Sequence, residues 1–504
     1  MKETILDYLR NHNTPIQASC SGMGLCGNCK VKTKPAIKLV KLEERVLSRS
    51  EIDSGVRLAC MHEMDDCLSI KVVKQGHMQI TSDFSTTYAK TPYLQLQPNQ
   101  QGFDVYSHSS KVGHVDKQRL FGVAVDIGTT TVVVALVNVV SKRVVSVDAF
   151  QNAQTAYGSD VISRIQHAST EEGLNHLSDL IKRDIHESIQ SLIKQQDADL
   201  SYLYEVVLSG NATMIHIILK EAPNRLAQAP FVSSIQKTVS KSYKDLFEAD
   251  CPAQVTLLGD ADAYVGGDIM SGIFSTNSYK DNQYTLFLDL GTNGEMALIH
   301  SNSILATSVA AGPAFEGVNI SCGMGATEGA ITSFNGLQKY TTIRNKKPRG
   351  ICGSGLIDVM AYLRRTHIID ASGRMKKQFS ITDHIYISQK DVREFQLARA
   401  AVRTGVDKLI QESGVSEDNI KRVIISGGFG AYINLDHFFE LQVLPVSFKE
   451  RTHSVGNSSL SGAVKYLLTS TKDVELIIKK THVINLSHLA SFQDTFVRYI
   501  PFED

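Results

Sequence analysis

Four of the chain's eight cysteines lie within residues 20–60. Cys20, Cys26 and Cys29 are spaced C-x5-C-x2-C, and Cys60 follows after thirty further residues. Thiolates ligate metals, and four of them concentrated in one stretch of a chain otherwise sparing with cysteine point to a metal site, not a disulfide scaffold. Zinc sites usually pair two C-x2-C-like hooks, and only one exists here. A [2Fe–2S] cluster takes four thiolates, typically three from one loop and one from a distant strand end. Gly22, Gly24 and Gly27 lie among the first three cysteines, where glycine lets backbone N–H groups turn toward sulfur. The expected ligands are Cys20, Cys26, Cys29 and Cys60; Cys67 has no place in the motif.

A second chemistry is written in three strand-then-glycine segments: VAVDIGTTT at 123–131, FLDLGTNGE at 287–295 and VIISGGFG at 423–430. In the first, an apolar strand delivers Asp126 to a turn where Gly128 precedes Thr129 and Thr130. Small residues bring backbone N–H groups to phosphate oxygens, hydroxyls add donors, and a carboxylate can hold Mg²⁺ through water. The second repeats the device with Asp289, Gly291, Thr292, Asn293 and Gly294, and adds Glu295 as a third candidate carboxylate. In the third, Gly427 and Gly428 would let a base and ribose lie against the backbone. One glycine turn alone is only a tight turn. Three in this order, two with Asp two residues before Gly, are a nucleotide site. A bare carboxylate pair would also suit glycoside hydrolysis, but that chemistry gives no reason for paired D-x-G-T loops.

The elements that must position these residues divide the chain. At 504 residues it exceeds one compact core. We expect an α/β multidomain protein: a small Cys-rich unit at 1–78, a linker at 79–118, a middle domain at 119–280 and a C-terminal domain at 281–504. The linker stretch is rich in Ser, Thr, Gln, Tyr and His with little apolar periodicity. From Phe121 onward, apolar strand runs alternate with amphipathic helical patterns. Helices are expected over Asp160–Ala168, Leu174–Lys194, Ser354–Arg365 and Lys390–Ser413, the last ending at Gly414. V-D-I-G-T-T at 125–130 is echoed by L-D-L-G-T-N at 288–293, which suggests two related lobes.

Composition narrows the partners. Lys plus Arg and Asp plus Glu both total 52, so no net field favours nucleic acid or anionic lipid. No run approaches the roughly 20 apolar residues of a membrane span, and no secretory pattern follows Met1, so a cytoplasmic protein is expected.

The cysteine spacing resembles that of adrenodoxin-like ferredoxins over about residues 3–74, which implies a β-grasp-like module with the helix matched by Glu3–His12. The chain starts almost at that helix, so a smaller sheet is expected. The three glycine segments resemble the phosphate-1, phosphate-2 and adenosine motifs of the actin, sugar-kinase and heat-shock ATPase superfamily, whose lobes are ribonuclease-H-like. That resemblance implies that Asp126 and Asp289 face each other across a cleft around Mg-ATP. Six further stretches have no generic explanation as turns: GSDVISRI at 158–165, SGNATMIH at 209–216, VGGDI at 265–269, AAGPAFEG at 310–317, ICGSGLID at 351–358 and ISQKDVREFQLARAAV at 387–402. With the ferredoxin, they look like the reductive activators of corrinoid proteins, over essentially the whole chain except 79–118.

The family match implies ATP-driven return of a Co(II) corrinoid to Co(I) on a partner methyltransferase component, with an upstream electron donor; a homodimer is compatible with it. Plant-type [2Fe–2S] centres sit near −400 mV, and Co(II)/Co(I) in corrinoid proteins is expected lower. An uphill gap of ~100–200 mV costs about 2–5 kcal/mol per electron. A nucleotide can supply this only through a conformation it binds differentially. Two other functions compete: a small-molecule kinase with an appended redox-sensing ferredoxin, and a non-enzymatic electron-transfer adaptor that would not need Asp126 or Asp289. Cys322 and Cys352 lie in the glycine-bearing loops SCGMG and ICGSG, where some ATPase-type activators of radical dehydratases hold a [4Fe–4S] cluster between subunits. The complete N-terminal ligand set leaves no need for one, and they read as small buried residues, while His62 and His216 lack companions at ligand spacing.

Overall fold

The computed structural model describes residues 3–12, 14, 16, 29–47, 49–65, 67–73, 93–158, 160–337, 339–428, 433–486, 489 and 491–502. Near the N-terminus, a helix at Ile5–Asn11 packs beside a three-stranded antiparallel sheet. Its central strand Lys30–Lys34 is flanked by Val56–Leu58 and Ser69–Val72. Ile5, Leu6, Leu9, Val31, Val56 and Leu58 form its core.

The low apolar periodicity of 79–118 fits a loosely packed linker or a small linker domain, and residues 94–115 within it form strands. Leu94–Asn99, Gly102–Ser107 and Ser110–Val115 make a three-stranded antiparallel meander. Leu94, Val105 and Val115 are its fully buried side chains, and they join the core of the following lobe. Three apolar positions over three short strands are too few to read as alternation, and the burial depends on a distant partner surface.

Two six-stranded sheets follow, and they share one plan. In the first, Phe121–Ile127, Thr131–Asn138 and Arg143–Gln151 run as an antiparallel meander, and Leu203–Gly210 pairs parallel to Phe121–Ile127. In the second, Tyr284–Leu290, Gly294–Ile299 and Ile304–Val309 repeat the meander, and Ile420–Ser426 pairs parallel to Tyr284–Leu290. The sequence echo at 125–130 and 288–293 is thus the first hairpin of each lobe. The expected helices form at Val161–His167, Glu171–Lys194, Gly353–Arg365 and Gln389–Ser413, the last capped by Gly414 in the left-handed region.

Two helices cross between the lobes, Gly267–Thr276 and Ser458–Thr469. Glycine makes their approach possible: a Cβ on Gly462 would lie 2.0 Å from the Ser271 carbonyl oxygen. Leu460, Ala463, Val464 and Leu467 of the second helix belong to the first lobe's core. The second lobe's chain is therefore anchored in the first lobe's interior. Among the described residues, no helix is long and apolar enough to cross a membrane.

Candidate functional site

Cys29 immediately precedes strand Lys30–Lys34, and Cys60 sits in the single-turn helix Ala59–Met61 that follows strand Val56–Leu58. The two strands pair with Lys30 opposite Leu58, so both cysteines reach the same end of the sheet. Their Sγ atoms are 3.3 Å apart and not covalently joined. Cys20 and Cys26 lie outside the described residues. The Cys60 turn is held from behind by fully buried Glu43, which accepts from the backbone N–H of Leu58 (2.6 Å) and Val40 (2.8 Å) and meets His62 Nε2 at 2.9 Å. These bonds hold the Glu43 carboxyl below its ordinary pKa although burial works the other way. Two converging sulfurs on a fixed turn fit the thiolate set of an iron–sulfur cluster.

The other site lies where the two lobes meet. Asp126 and Asp289 end the first strands of their hairpins, and Glu295 stands opposite Asp289 across its hairpin, on the same face. Asp268, in the first turn of the crossing helix Gly267–Thr276, joins them from the VGGDI stretch. Glu316, at the end of AAGPAFEG, accepts a hydrogen bond from Thr292 Oγ1 at 2.9 Å. All five carboxylates are half-buried. Among the described residues, none of the five forms an ion pair with a lysine or arginine.

Their electrostatics follow from that crowding. Burial pushes the Asp289 pKa up to about 6; a Ser426 hydrogen bond opposes the shift, and the charges of Asp126 and Glu316 add to it. Asp268 is driven well above the ordinary carboxyl range by burial and then by Asp289 and Asp126. Glu295 is raised in the same way by burial, Asp268 and Asp289. Such a set accommodates a cation and repels a bare anion. Among the described residues no three His, Cys, Asp or Glu converge closely enough to ligate one ion directly. Carboxylates holding Mg²⁺ through its waters need no such convergence, since Mg²⁺ usually keeps several waters.

The turn that follows Asp126 is braced by side chains from two of the six stretches. Thr129 Oγ1 accepts from Asn211 Nδ2 at 3.0 Å, and Asn211 also caps the helix Ala212–Ile218. Arg164, fully buried, donates to the carbonyls of Thr129 and Gly158 (2.9 Å for the latter). Burial pulls its pKa down to about 9. Gly128 N donates to the Thr131 carbonyl at 3.0 Å, and a Cβ there would come within 2.6 Å of that oxygen, so the turn requires glycine. Thr130 accepts from Asn152 N through its carbonyl. In the phosphate-2 hairpin, Gly291 N donates to the Asn293 carbonyl at 3.0 Å. Gly427, with φ +101°, follows strand Ile420–Ser426 beside Asp289, and Gly428 faces open space; 429–432 lie outside the described residues.

Sequence reasoning missed Asp268, Glu316, Arg164 and Asn211 as members of the site, although the stretches that contain them were singled out. ICGSGLID and ISQKDVREFQLARAAV serve the second lobe's packing instead. Asp358 bonds His437 Nδ1 at 2.6 Å, and Arg399 holds the backbone carbonyls of Leu441, Tyr499 and Pro501. Cys352 is buried against the Ile331 carbonyl, consistent with a packing residue.

Two actin-like lobes around a carboxylate-lined cleft, joined to an iron–sulfur module, are the class of an ATPase coupled to a redox centre. Family models match along the chain in that order: "2Fe-2S iron-sulfur cluster binding domain" at 2–65, "RACo middle region" at 121–281 and "C-terminal domain of RACo the ASKHA domain" at 283–503. The corrinoid activation enzyme RamQ of Eubacterium limosum is 31% identical over 421 residues, covering 76% of this chain and 71% of the relative. A [Co(II) methylated amine-specific corrinoid protein] reductase of Methanosarcina barkeri is 25% identical over 410 residues, covering 73% and 74%. Among solved structures, a reductive activator for corrinoid, iron-sulfur protein aligns over 98% of this chain and 95% of its own, with 28% identity and a TM-score of 0.73. The chain belongs to the family of reductive activators of corrinoid proteins.

Proposed function

We propose that this protein uses Mg-ATP to drive one electron at a time onto a Co(II) corrinoid, giving Co(I), on a partner methyltransferase component in the cytoplasm. Its working parts on this reading are the ferredoxin module (1–78), the linker region (79–118), the first lobe (119–280) and the second lobe (281–504). Cys20, Cys26, Cys29 and Cys60 hold a [2Fe–2S] cluster, which supplies one-electron transfer and is refilled by an upstream donor. Asp126 and Asp289 orient the water shell of Mg²⁺, with Glu295 beside them. Gly128, Thr129, Thr130, Gly291, Thr292 and Asn293 offer N–H and hydroxyl donors to the phosphates, and Gly427 and Gly428 leave room for the adenosine. Asp268 is a further carboxylate beside them, its pKa raised by burial and by the charges of Asp289 and Asp126.

The observation that supports this most is the co-occurrence, in one chain, of the Cys29–Cys60 pair and the carboxylates shared by two anchored lobes. A kinase reading leaves the cysteines only a sensing task. An adaptor reading leaves the crowded carboxylates, costly at neutral pH, without one.

The test is anaerobic absorbance spectroscopy of a candidate corrinoid protein with reduced activator. Co(II) should disappear completely only when Mg-ATP is added. Equal Co(I) yield without nucleotide would leave the adaptor, and ATP-dependent phosphorylation of a small molecule would leave the kinase.

A further inference from the structure

The segment Gly456–Ser459 leads from the last parallel strand of the second lobe, Thr452–Gly456, into the crossing helix. It touches Asp126 directly and reaches Asp289 through the Ser426 hydroxyl. Asn457 Nδ2 donates to Asp126 Oδ2 at 2.7 Å, and Ser459 Oγ donates to Asp126 Oδ1 at 2.7 Å. Ser458 Oγ lies 2.5 Å from Ser426 Oγ, which donates to Asp289 Oδ2 at 2.9 Å. Each hydroxyl has one proton, and an ionised carboxylate only accepts. Ser459 must therefore point its proton at Asp126, Ser426 at Asp289, and Ser458 at Ser426. All the donors run outward from one helix turn to two carboxylates, one in each lobe.

A capping role alone does not account for this. Asn457 caps the helix with Oδ1, which accepts from Leu460 N at 2.8 Å, and that task leaves Nδ2 uncommitted. Ser459 is past the cap and spends its proton across the lobe boundary. Its own position is fixed by Ser271 Oγ on its carbonyl at 2.7 Å and by Ser209 Oγ at 2.9 Å, both from the first lobe.

We propose that Asn457 and Ser459 are positioning residues for the divalent cation of the cleft: they hold the first lobe's Asp126 in the rotamer that meets the ion's water shell, from a helix that the second lobe supplies. Cation affinity then depends on how the lobes sit, and the same turn sets Asp289 through Ser458 and Ser426. The inference rests on the Mg-nucleotide reading of the cleft. Removing the groups that orient a metal-facing ligand typically weakens metal affinity 10–100-fold.

Four proteins test it: native, Ser459→Ala, Ser459→Thr and Asn457→Ser, each with its cluster intact by absorbance. Serine retains a capping oxygen at 457 but not the amide that reaches Asp126. Mn²⁺ is titrated against each protein with a non-hydrolysable ATP analogue, and free Mn²⁺ is read by electron paramagnetic resonance. Ser459→Ala and Asn457→Ser should bind Mn²⁺ about 10–100-fold more weakly, with Ser459→Thr returning toward native. Native Mn²⁺ affinity in both weakened variants, even with lowered thermal stability, would reduce the two residues to structure and overturn the proposal. Absence of nucleotide-dependent Mn²⁺ binding by the native protein would instead sink the cation reading of the cleft, and this inference with it.

Discussion

Asp289→Asn should make the nucleotide-free protein more stable while disabling it. The native carboxyl has a pKa of about 6 where an unperturbed aspartate has 3.8. A carboxyl raised by folding contributes its full stability below the unfolded pKa and loses it as pH rises through the folded one. The gap of about 2.2 units corresponds to roughly 3 kcal/mol lost at pH 7.5, and solvent reaching a half-buried group reduces this to about 1–3 kcal/mol. Asparagine is nearly isosteric and still accepts the Ser426 hydroxyl, so it removes the charge without a cavity. Thermal unfolding at pH 7.5 should place the variant's ATPase-domain transition several degrees higher, since about 1 kcal/mol moves a domain of this size by roughly 2–4 °C. The advantage should fall to about half by pH 5, where native Asp289 is largely protonated. Mg-ATP should raise the native transition and not the variant's, because only the native protein gains the cation's neutralisation. A variant less stable than native at pH 7.5, or a difference that ignores pH, would refute the argument that burial, with charge crowding added, loads this cleft.

The cluster ligands predict red-brown protein with about two irons per chain; Cys26→Ala or Cys60→Ala should bleach it, and Cys67→Ala, at an exposed site, should not. Should Cys67→Ala bleach the protein and Cys60→Ala spare it, the ligand set is wrong. Glu43→Ala strips the acceptor from two backbone donors behind the Cys60 turn, costing about 2–5 kcal/mol, and iron content on purification should fall; full occupancy would show the turn holds itself. Arg164→Met leaves the Thr129 and Gly158 carbonyls without their donor, so KM for ATP should rise about tenfold by the loss of one charge-assisted bond; an unchanged KM would remove Arg164 from the site's support. Asp126→Ala should reduce Mg-dependent ATP hydrolysis strongly and leave the cluster spectrum native, and an unaltered rate would argue against the cleft assignment.

Much of this architecture is legible because glycine and aspartate at a strand end have few other uses. The hairpins at Gly128 and Gly291 announce themselves, and so does the long helix ended by Gly414. Asp268 was harder. VGGDI stands out in the sequence without a stated task, and only the fold shows that a Cβ on Gly267 would strike the Leu258 carbonyl at 2.4 Å, so the glycines bring the carboxylate into the cleft. Arg164 lies on a helix that reads as amphipathic, and nothing local says that its guanidinium turns inward to the Thr129 carbonyl. Asn457 and Ser459 are more than 300 residues from Asp126 in the chain, and a serine-rich helix start is common. Local chemistry could be read; partnerships closed by the fold could not.

Those long-range partnerships bear on how a nucleotide could help an uphill electron transfer. The cost to be met is about 2–5 kcal/mol per electron for a gap of ~100–200 mV. The charge strain at Asp289 alone is of the same order, about 1–3 kcal/mol at neutral pH, and Asp268 and Glu295 are raised further. A cation entering with the nucleotide relieves that strain only in the arrangement that lets both lobes face it. Asp126 is oriented by Asn457 and Ser459, so relief is tied to the seat of the crossing helix. That helix packs through Leu460, Ala463 and Leu467 into a core that both lobes share, so its seat bears on how the lobes sit. A shift of ~5.5 kcal/mol carries a two-state equilibrium from 1:99 to 99:1, so relief at Asp289 alone biases the choice between lobe arrangements without completing it. On this argument the free energy reaches the electron through shape: the cation-bound arrangement holds the partner differently, and the potential of the partner's cobalt is what must move.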